Sequence, residues 1–417
     1  MKIKRDKYLN ALIDRKHNGL VKVVTGIRRC GKSYLLFNLF RDYLREAGVP
    51  DDHVITAQLD LRSARLLRDP DAMLDYVNER ILDSEMHYVM LDEVQLLPDF
   101  VEVLNELLAN PSVDVYVTGS NSRFLSKDVI TEFRGRGDEV HVFPLTFAEF
   151  MQTRDDGEMR AWADYVEYGG LPLVATMRTE EQKAAYLTNL FEETYIKDIV
   201  ERNALRKTQE LEDLVDVLAS ATGSLTNAPK IRATFKSSLH SSISIDTIRS
   251  YIDCLEDAFL VSEAKRYDIK GRKYIGAPVK YYFEDVGLRN ARLNFRQVEE
   301  THLMENVIYN ELRARGFSVD VGIVPRRYID ESGKKATSML EVDFVANRGS
   351  RRYYIQSAYA LPDAAKREQE SASLRRIGDS FKKIIVVKDT VNATRDEDGI
   401  VTMGLFDFLL DPGSLDR

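Results

Sequence analysis

Residues 26 to 33 read Gly-Ile-Arg-Arg-Cys-Gly-Lys-Ser and follow the spacing G-x-x-x-x-G-K-[ST], in which each fixed residue type has its own chemical task. Gly26 and Gly31 allow the backbone to curl until its N–H groups face an anion, with Ile27, Arg28, Arg29, Cys30 and Tyr34 completing the cradle. Lys32 carries a point charge to the β- and γ-phosphates of a nucleotide, and Ser33 offers a hydroxyl to Mg²⁺. Asp92 and Glu93 close the apolar run His87-Tyr88-Val89-Met90-Leu91. Asp92 suits a Mg²⁺ ligand, and Glu93 suits a base that orients and deprotonates a water. Arg136, in the segment Phe133-Arg134-Gly135-Arg136-Gly137, has the chemistry to neutralise charge on a transferring phosphoryl group.

These groups need a scaffold that brings them together. Val21-Lys22-Val23-Val24 reads as a strand entering the loop, and Ser33 to Phe40 reads as a helix leaving it, with Leu36, Leu39 and Phe40 on one face. Val54 to Asp60, His87 to Asp92 and Val113 to Thr118 are further strands. Helical patterns at Ala72–Leu82 and Val101–Leu108 fall between them. Alternation of this kind predicts an α/β fold with a parallel sheet covered on both faces and nucleotide at the carboxyl ends of the strands.

The 417-residue length predicts two to four domains. A composition 44% hydrophobic and 30% charged is that of a globular protein, and a net charge of −8 restricts any nucleic-acid contact to a local basic patch. No run of about 18 apolar residues suggests a membrane span, and no apolar signal core follows the charged amino terminus. The two cysteines, Cys30 and Cys254, lie far apart. That fits a reducing cytoplasm and argues against a disulfide framework or a zinc site.

The stretches Thr25–Ser33, Leu91-Asp92-Glu93-Val94-Gln95, Thr118-Gly119-Ser120, Gly135-Arg136 and Pro144-Leu145-Thr146-Phe147-Ala148-Glu149-Phe150, with the turn Tyr168-Gly169-Gly170-Leu171-Pro172, resemble prokaryotic AAA-type P-loop ATPases that carry a C-terminal domain of unknown function. The likeness runs over nearly the whole chain. It implies a cytoplasmic protein that binds ATP with Mg²⁺ and hydrolyses it, and it makes Thr118, Ser120 and Asn121 the polar sensor beside the acidic strand.

Beyond residue 175, taken as the end of the ATPase domain, a helical and winged-helix segment is expected over 176–295. Its helix is Ser244–Glu256, and its wing is Lys265–Tyr274, with five basic residues and two tyrosines against one acid. That composition suits phosphate contact and stacking, or docking onto the ATPase core. Residues 296–417 resemble the restriction-endonuclease-like fold. Asp343 matches the first metal-binding acid and Glu305 a helical one. Gln356 stands at the second acid and Ala358 at the lysine, with Lys366 or Arg367 as possible stand-ins, so the domain is expected to be inactive. It is expected to bind DNA or a protein partner through Arg351 and Arg352. The leading expectation is an ATPase whose nucleotide state controls this carboxyl-terminal region. A nucleotide switch with negligible turnover and an ATP-gated nuclease are the alternatives.

Overall fold

A computed structural model describes residues 2–119, 135–205, 208–329 and 333–417. The chain forms two compact units, Met1–Pro144 with Asp257–Phe259, and Leu145–Glu256 with Leu260–Arg417.

The first unit is built on a parallel sheet of β1 (Val21–Thr25), β2 (Val54–Gln58), β3 (His87–Asp92), β4 (Val113–Thr118) and β5 (Gly137–His141). The strand order is β2-β3-β4-β1-β5, with every pairing parallel. This is the α/β architecture of a P-loop NTPase. β1, β3 and β4 are buried along their whole length, whereas β2 alternates and β5 is largely exposed. A parallel strand between two helical layers has no wet face, which is why the three central strands read as nearly unbroken apolar runs. Val89, Leu91, Val115 and Val117 pack with Leu104 and Leu107 of helix Phe100–Ala109 and with Met73 and Val77 of helix Pro70–Asn78. The latter helix starts earlier than its apolar pattern suggested. Asp69 caps it by accepting from the Ala72 N–H at 3.0 Å, and Pro70 fills the first turn.

A buried ion pair lies within this unit. Lys22 of β1 is fully buried and donates to Asp114 of β4 and to the Leu20 carbonyl at 2.8 Å. Asp114 also accepts from Tyr116 Oη at 2.8 Å and from the His17 N–H at 3.2 Å. Burial pulls the Lys22 ammonium below its ordinary value despite the carboxylate beside it.

In the second unit an eight-stranded mixed sheet has the order β12-β13-β11-β10-β9-β8-β6-β7. Its strands are β6 (Val261–Asp268), β7 (Lys273–Phe283), β8 (Ser318–Ile329), β9 (Lys335–Arg348), β10 (Arg351–Ala358), β11 (Lys382–Val387), β12 (Thr394–Arg395) and β13 (Val401–Gly404). The expected helix before the hairpin is present at Ile245–Asp257. The hairpin differs from a free wing. Its strands run on until only residues 269–272 turn, and β6 joins β8 in parallel through Arg266↔Val321, Tyr267↔Gly322 and Asp268↔Ile323. The boundary expected at residue 295 therefore falls inside one continuous sheet. Gly322 permits the approach, since a Cβ there would come within 2.8 Å of Ile269 Cδ1 and Val345 Cγ2. The Gly169-Gly170 turn has a similar cause. The Gly170 N–H donates to Asp285 at 2.8 Å, and a Cβ on Gly170 would meet the Leu145 carbonyl at 2.4 Å.

Removing the Asp114 carboxylate strands a buried ammonium, whereas removing Lys22 leaves a carboxylate that keeps two other donors. Asp114→Ala is expected to destabilise the first unit by about 3–5 kcal/mol and Lys22→Met by less, as read from urea denaturation midpoints.

Candidate functional site

β1 delivers the chain into the phosphate-gripping loop, and the loop's shape depends on its glycines. Gly26 sits at φ +135°, and a Cβ there would lie 2.1 Å from the Val142 carbonyl oxygen. Gly31, at φ +103°, is the left-handed residue that opens the next helix. That helix is continuous through Lys32–Tyr34, a wider π-helical stretch at Leu35–Phe40, and Arg41–Glu46. Ile27 and Cys30 are buried, so only their backbone can face a ligand, while Arg29 and Tyr34 are exposed. The Lys32 ammonium is buried against the loop's own oxygens, donating to the Gly26 and Ile27 carbonyls at 2.9 and 3.0 Å.

The sheet order places β4 between the loop strand β1 and the acidic strand β3. The carboxyl ends of these three strands therefore converge. Ser33 Oγ donates to Asp92 Oδ1 at 3.0 Å, and Thr118 Oγ1 donates to the same oxygen. The Glu93 N–H donates to Thr118 Oγ1 at 3.0 Å. Burial raises the Asp92 pKa, and the two hydroxyl donors oppose that rise. Directly after the strand, Glu93 takes a left-handed backbone (φ +51°), an uncommon conformation for a residue with a side chain. Its half-buried carboxylate accepts from the Gln95 side-chain amide. Hydroxyl and carboxylate oxygens at one spot are the donor set that Mg²⁺ prefers. Ser33 and Asp92 fit that ion, with Thr118 orienting the carboxylate.

Ser120 and Asn121, the other expected sensor residues, lie outside the described residues, as does Arg134. Arg136 requires a correction. Val21 pairs with Gly137, and the Val21 N–H donates to the Arg136 carbonyl at 2.8 Å. Arg136 thus lies at the amino end of β1, across the sheet from the loop, where its exposed guanidinium donates to Asn105 Oδ1 at 3.4 Å. It does not face the phosphate side of its own chain.

Two supports escaped sequence reading. Arg5, buried although near the amino terminus, donates to the carbonyls of Cys30 at 3.1 Å and Phe143 at 2.7 Å, so it holds the back of the loop. Thr25 Oγ1 donates to Glu139 Oε1 at 2.5 Å and lies 3.0 Å from His141 Nδ1. Neither contact leaves a local signature, because the partners are far apart in sequence.

The carboxyl-terminal unit gathers a second polar cluster. Lys280 of β7, its side chain 3% exposed, lies 2.8 Å from Glu305 Oε1, 2.6 Å from Glu341 Oε1 and 3.9 Å from Asp343 Oδ1. Tyr282 Oη donates to Glu305 Oε1 at 2.6 Å, and the Ser357 N–H donates to Asp343 Oδ2 at 2.8 Å. Burial pulls the Lys280 ammonium down, but Glu305, Asp343 and Glu341 outweigh it and hold the pKa above the ordinary value. Burial, reinforced by the Glu305 charge, pushes Asp343 up to about 8. Glu305 and Asp343 thus lie on either side of one ammonium. On the following helix, Lys366 pairs with Glu370 at 2.6 Å and Arg367 is exposed, so neither is seen against these acids. The lysine that lies against these acids is Lys280 of β7, which precedes them in the chain.

The family model described as an AAA domain matches residues 18–151, and one described as a domain of unknown function (DUF8612) matches residues 159–299. An uncharacterized protein of Haemophilus influenzae is 32% identical over 414 residues, covering 98% of each chain. One from Methanocaldococcus jannaschii is 25% identical over 378 residues, covering 86% of this chain and 79% of its own. The structure of the Aeropyrum pernix ORC1 protein in complex with DNA aligns with 70% of this chain and 92% of its own, at 14% identity and a TM-score of 0.32. That likeness is too remote to carry function. With an AAA domain and a full-length relative at 32% identity, the chain belongs to the family of AAA-domain proteins that includes the uncharacterized Haemophilus influenzae protein.

Proposed function

We propose that this protein binds ATP with Mg²⁺, hydrolyses it at the first unit's site, and uses its nucleotide state to control the carboxyl-terminal region. The observation that carries the reading is the convergence of Lys32, Ser33, Asp92, Thr118 and the left-handed Glu93 at the carboxyl edge of one parallel sheet. The curled loop backbone offers N–H groups to the phosphates. Lys32, resting on the Gly26 and Ile27 carbonyls, exchanges them for phosphate oxygens when nucleotide enters. Ser33 and Asp92 would hold Mg²⁺, which when bound supplies positive charge to the β- and γ-phosphates. Glu93 takes a proton from the water that attacks the γ-phosphorus as the bond to the β–γ bridging oxygen breaks, which leaves ADP and phosphate. Thr118, bonded to both Asp92 and the Glu93 N–H, keeps the two carboxylates in register.

A second reading, a nucleotide switch with slow turnover, is favoured by one contact. The Gln95 amide occupies a Glu93 carboxylate oxygen, so the base is engaged within the chain. Turnover then depends on releasing it.

For the carboxyl-terminal region we propose a DNA contact through the β6–β7 turn, where Lys270, Arg272, Lys273 and Tyr274 are exposed together. A protein partner is the alternative occupant of a restriction-endonuclease-like domain that lacks nuclease activity. No helix among the described residues is long and apolar enough to cross a membrane.

Lys32→Ala and Gly26→Ala are each expected to abolish the stabilisation of about 2.7 kcal/mol that ATP at 100 times its dissociation constant gives, measured as a thermal shift. Glu93→Gln should keep that shift and lose phosphate release; turnover at the wild-type rate would refute the base assignment. Gln95→Leu is expected to raise phosphate release with ATP affinity unchanged, whereas a fall would show that Gln95 positions the base for reaction. If the β6–β7 turn is the DNA contact, duplex DNA should raise phosphate release at 50 mM salt, and the effect should vanish in Lys270→Ala/Arg272→Ala/Lys273→Ala and weaken steeply with added salt.

A further inference from the structure

In an active nuclease of the restriction-endonuclease-like kind, two acids hold a divalent metal and a lysine stands beside it. This chain has Asp343 and Glu305 in contact with one centre and a third acid, Glu341, two residues before Asp343. Three carboxyl groups around one point, two of them buried and Glu341 partly exposed, would ordinarily be a site for a hard cation. Here the cation is already present and covalently attached. The Lys280 ammonium lies within 2.8 Å of Glu305, 2.6 Å of Glu341 and 3.9 Å of Asp343, with its side chain 3% exposed.

We propose that the ammonium of Lys280 is the resident cation of this centre, seated where a divalent metal would otherwise lie, so that the carboxyl-terminal unit is metal-independent as built and is a latent divalent-cation site once Lys280 is removed. The inference is independent of ATP binding at the first unit.

Three observations support it besides the distances. A lysine ammonium has three N–H donors and no acceptor, so it can satisfy several carboxylates at once but cannot ligate a metal in its charged form. A metal in the same place would face that charge at ion-pair distance. One wall of the centre is aromatic. Tyr282, which donates to Glu305, stacks on Tyr309 with ring centroids 4.2 Å apart, and Phe344 lies 6.2 Å from Tyr282. That wall shields the Glu305 side of the centre, while Glu341, 32% exposed, leaves the other side open to solvent; a second positive charge at ion-pair distance from the ammonium would still be repelled. Finally, the position where another metal-binding acid would stand is neutral. It holds Gln356, whose Oε1 is buried without a hydrogen-bond partner, and Ala358 follows where the lysine would stand. These residues therefore do not fit a bound metal while Lys280 is in place. They fit an ion pair that copies its charge.

The test counts Mn²⁺ bound to the nucleotide-free full chain by electron paramagnetic resonance, in an Asp92→Asn background that removes the carboxylate of the first unit's site. With Lys280 present, the number bound should be the same whether residue 343 is Asp or Asn. Lys280→Met should add one bound Mn²⁺ per chain, and Asp343→Asn should remove it again. The thermal midpoint of Lys280→Met should be lowered and should rise with Mn²⁺, while that of the parent stays unchanged. Mn²⁺ bound with Lys280 in place and lost in Asp343→Asn would overturn the proposal. So would a folded Lys280→Met that binds no additional ion. If Lys280→Met does not fold, Lys280→Gln serves as the second variant, and the parent comparison decides by itself whether Lys280 or a metal occupies the centre. Supercoiled plasmid should survive incubation with the parent and Mn²⁺; nicking lost in Asp343→Asn would also refute the proposal.

Discussion

Much of the first unit depends on one acceptor, Asp92 Oδ1, which takes hydrogen bonds from both Ser33 and Thr118. These residues come from three parts of the chain, and only a sheet in which β4 lies between β1 and β3 can bring them to one oxygen. A buried carboxylate without donors is costly and tends to protonate, so the two hydroxyls are what let Asp92 stay in the interior as a usable ligand. The same Thr118 oxygen accepts from the Glu93 backbone, so Asp92 and Glu93 are tied together through a single hydroxyl.

The loop needs support from behind as well. Gly26 passes so close to the Val142 carbonyl that no side chain fits, and Arg5 spans the carbonyls of Cys30 and Phe143. A backbone curled to present N–H groups to an anion turns carbonyls the other way, and those carbonyls need donors of their own. Lys32 fills part of that need, and Arg5 fills another part. The amino-terminal residues thus act on the nucleotide site without facing it.

The carboxyl-terminal unit solves a comparable problem by different means. Its acids are brought together by a long helix, Glu300–Ala314, and by β9, and their mutual repulsion is met by an ammonium supplied from β7. In both units a buried carboxylate is kept by donors that come from distant sequence. In the first unit those donors are neutral hydroxyls. In the second the donor is itself a full positive charge.

The sequence by itself determined the parts that are local. The loop spacing from Gly26 to Ser33, the apolar strand ending in Asp92-Glu93 and the strand–helix alternation were readable because chain neighbours carry the whole signal: a fixed spacing for phosphate, a period for burial. It also marked Asp343 and Glu305 and the gaps at Gln356 and Ala358. What only tertiary structure decided is which distant groups meet. Register between β1 and β5 removed Arg136 from the phosphate side, because a strand pairing places its two ends at opposite edges of the sheet. Pairing of β6 with β8 drew the expected wing into a larger sheet. Folding chose Lys280 over Lys366 as the partner of Asp343 because Lys366, on its helix, is satisfied by Glu370 one turn away. Contacts between residues far apart in the chain leave no period and no spacing in a single sequence, so they become visible only when the backbone has brought them within a few ångströms.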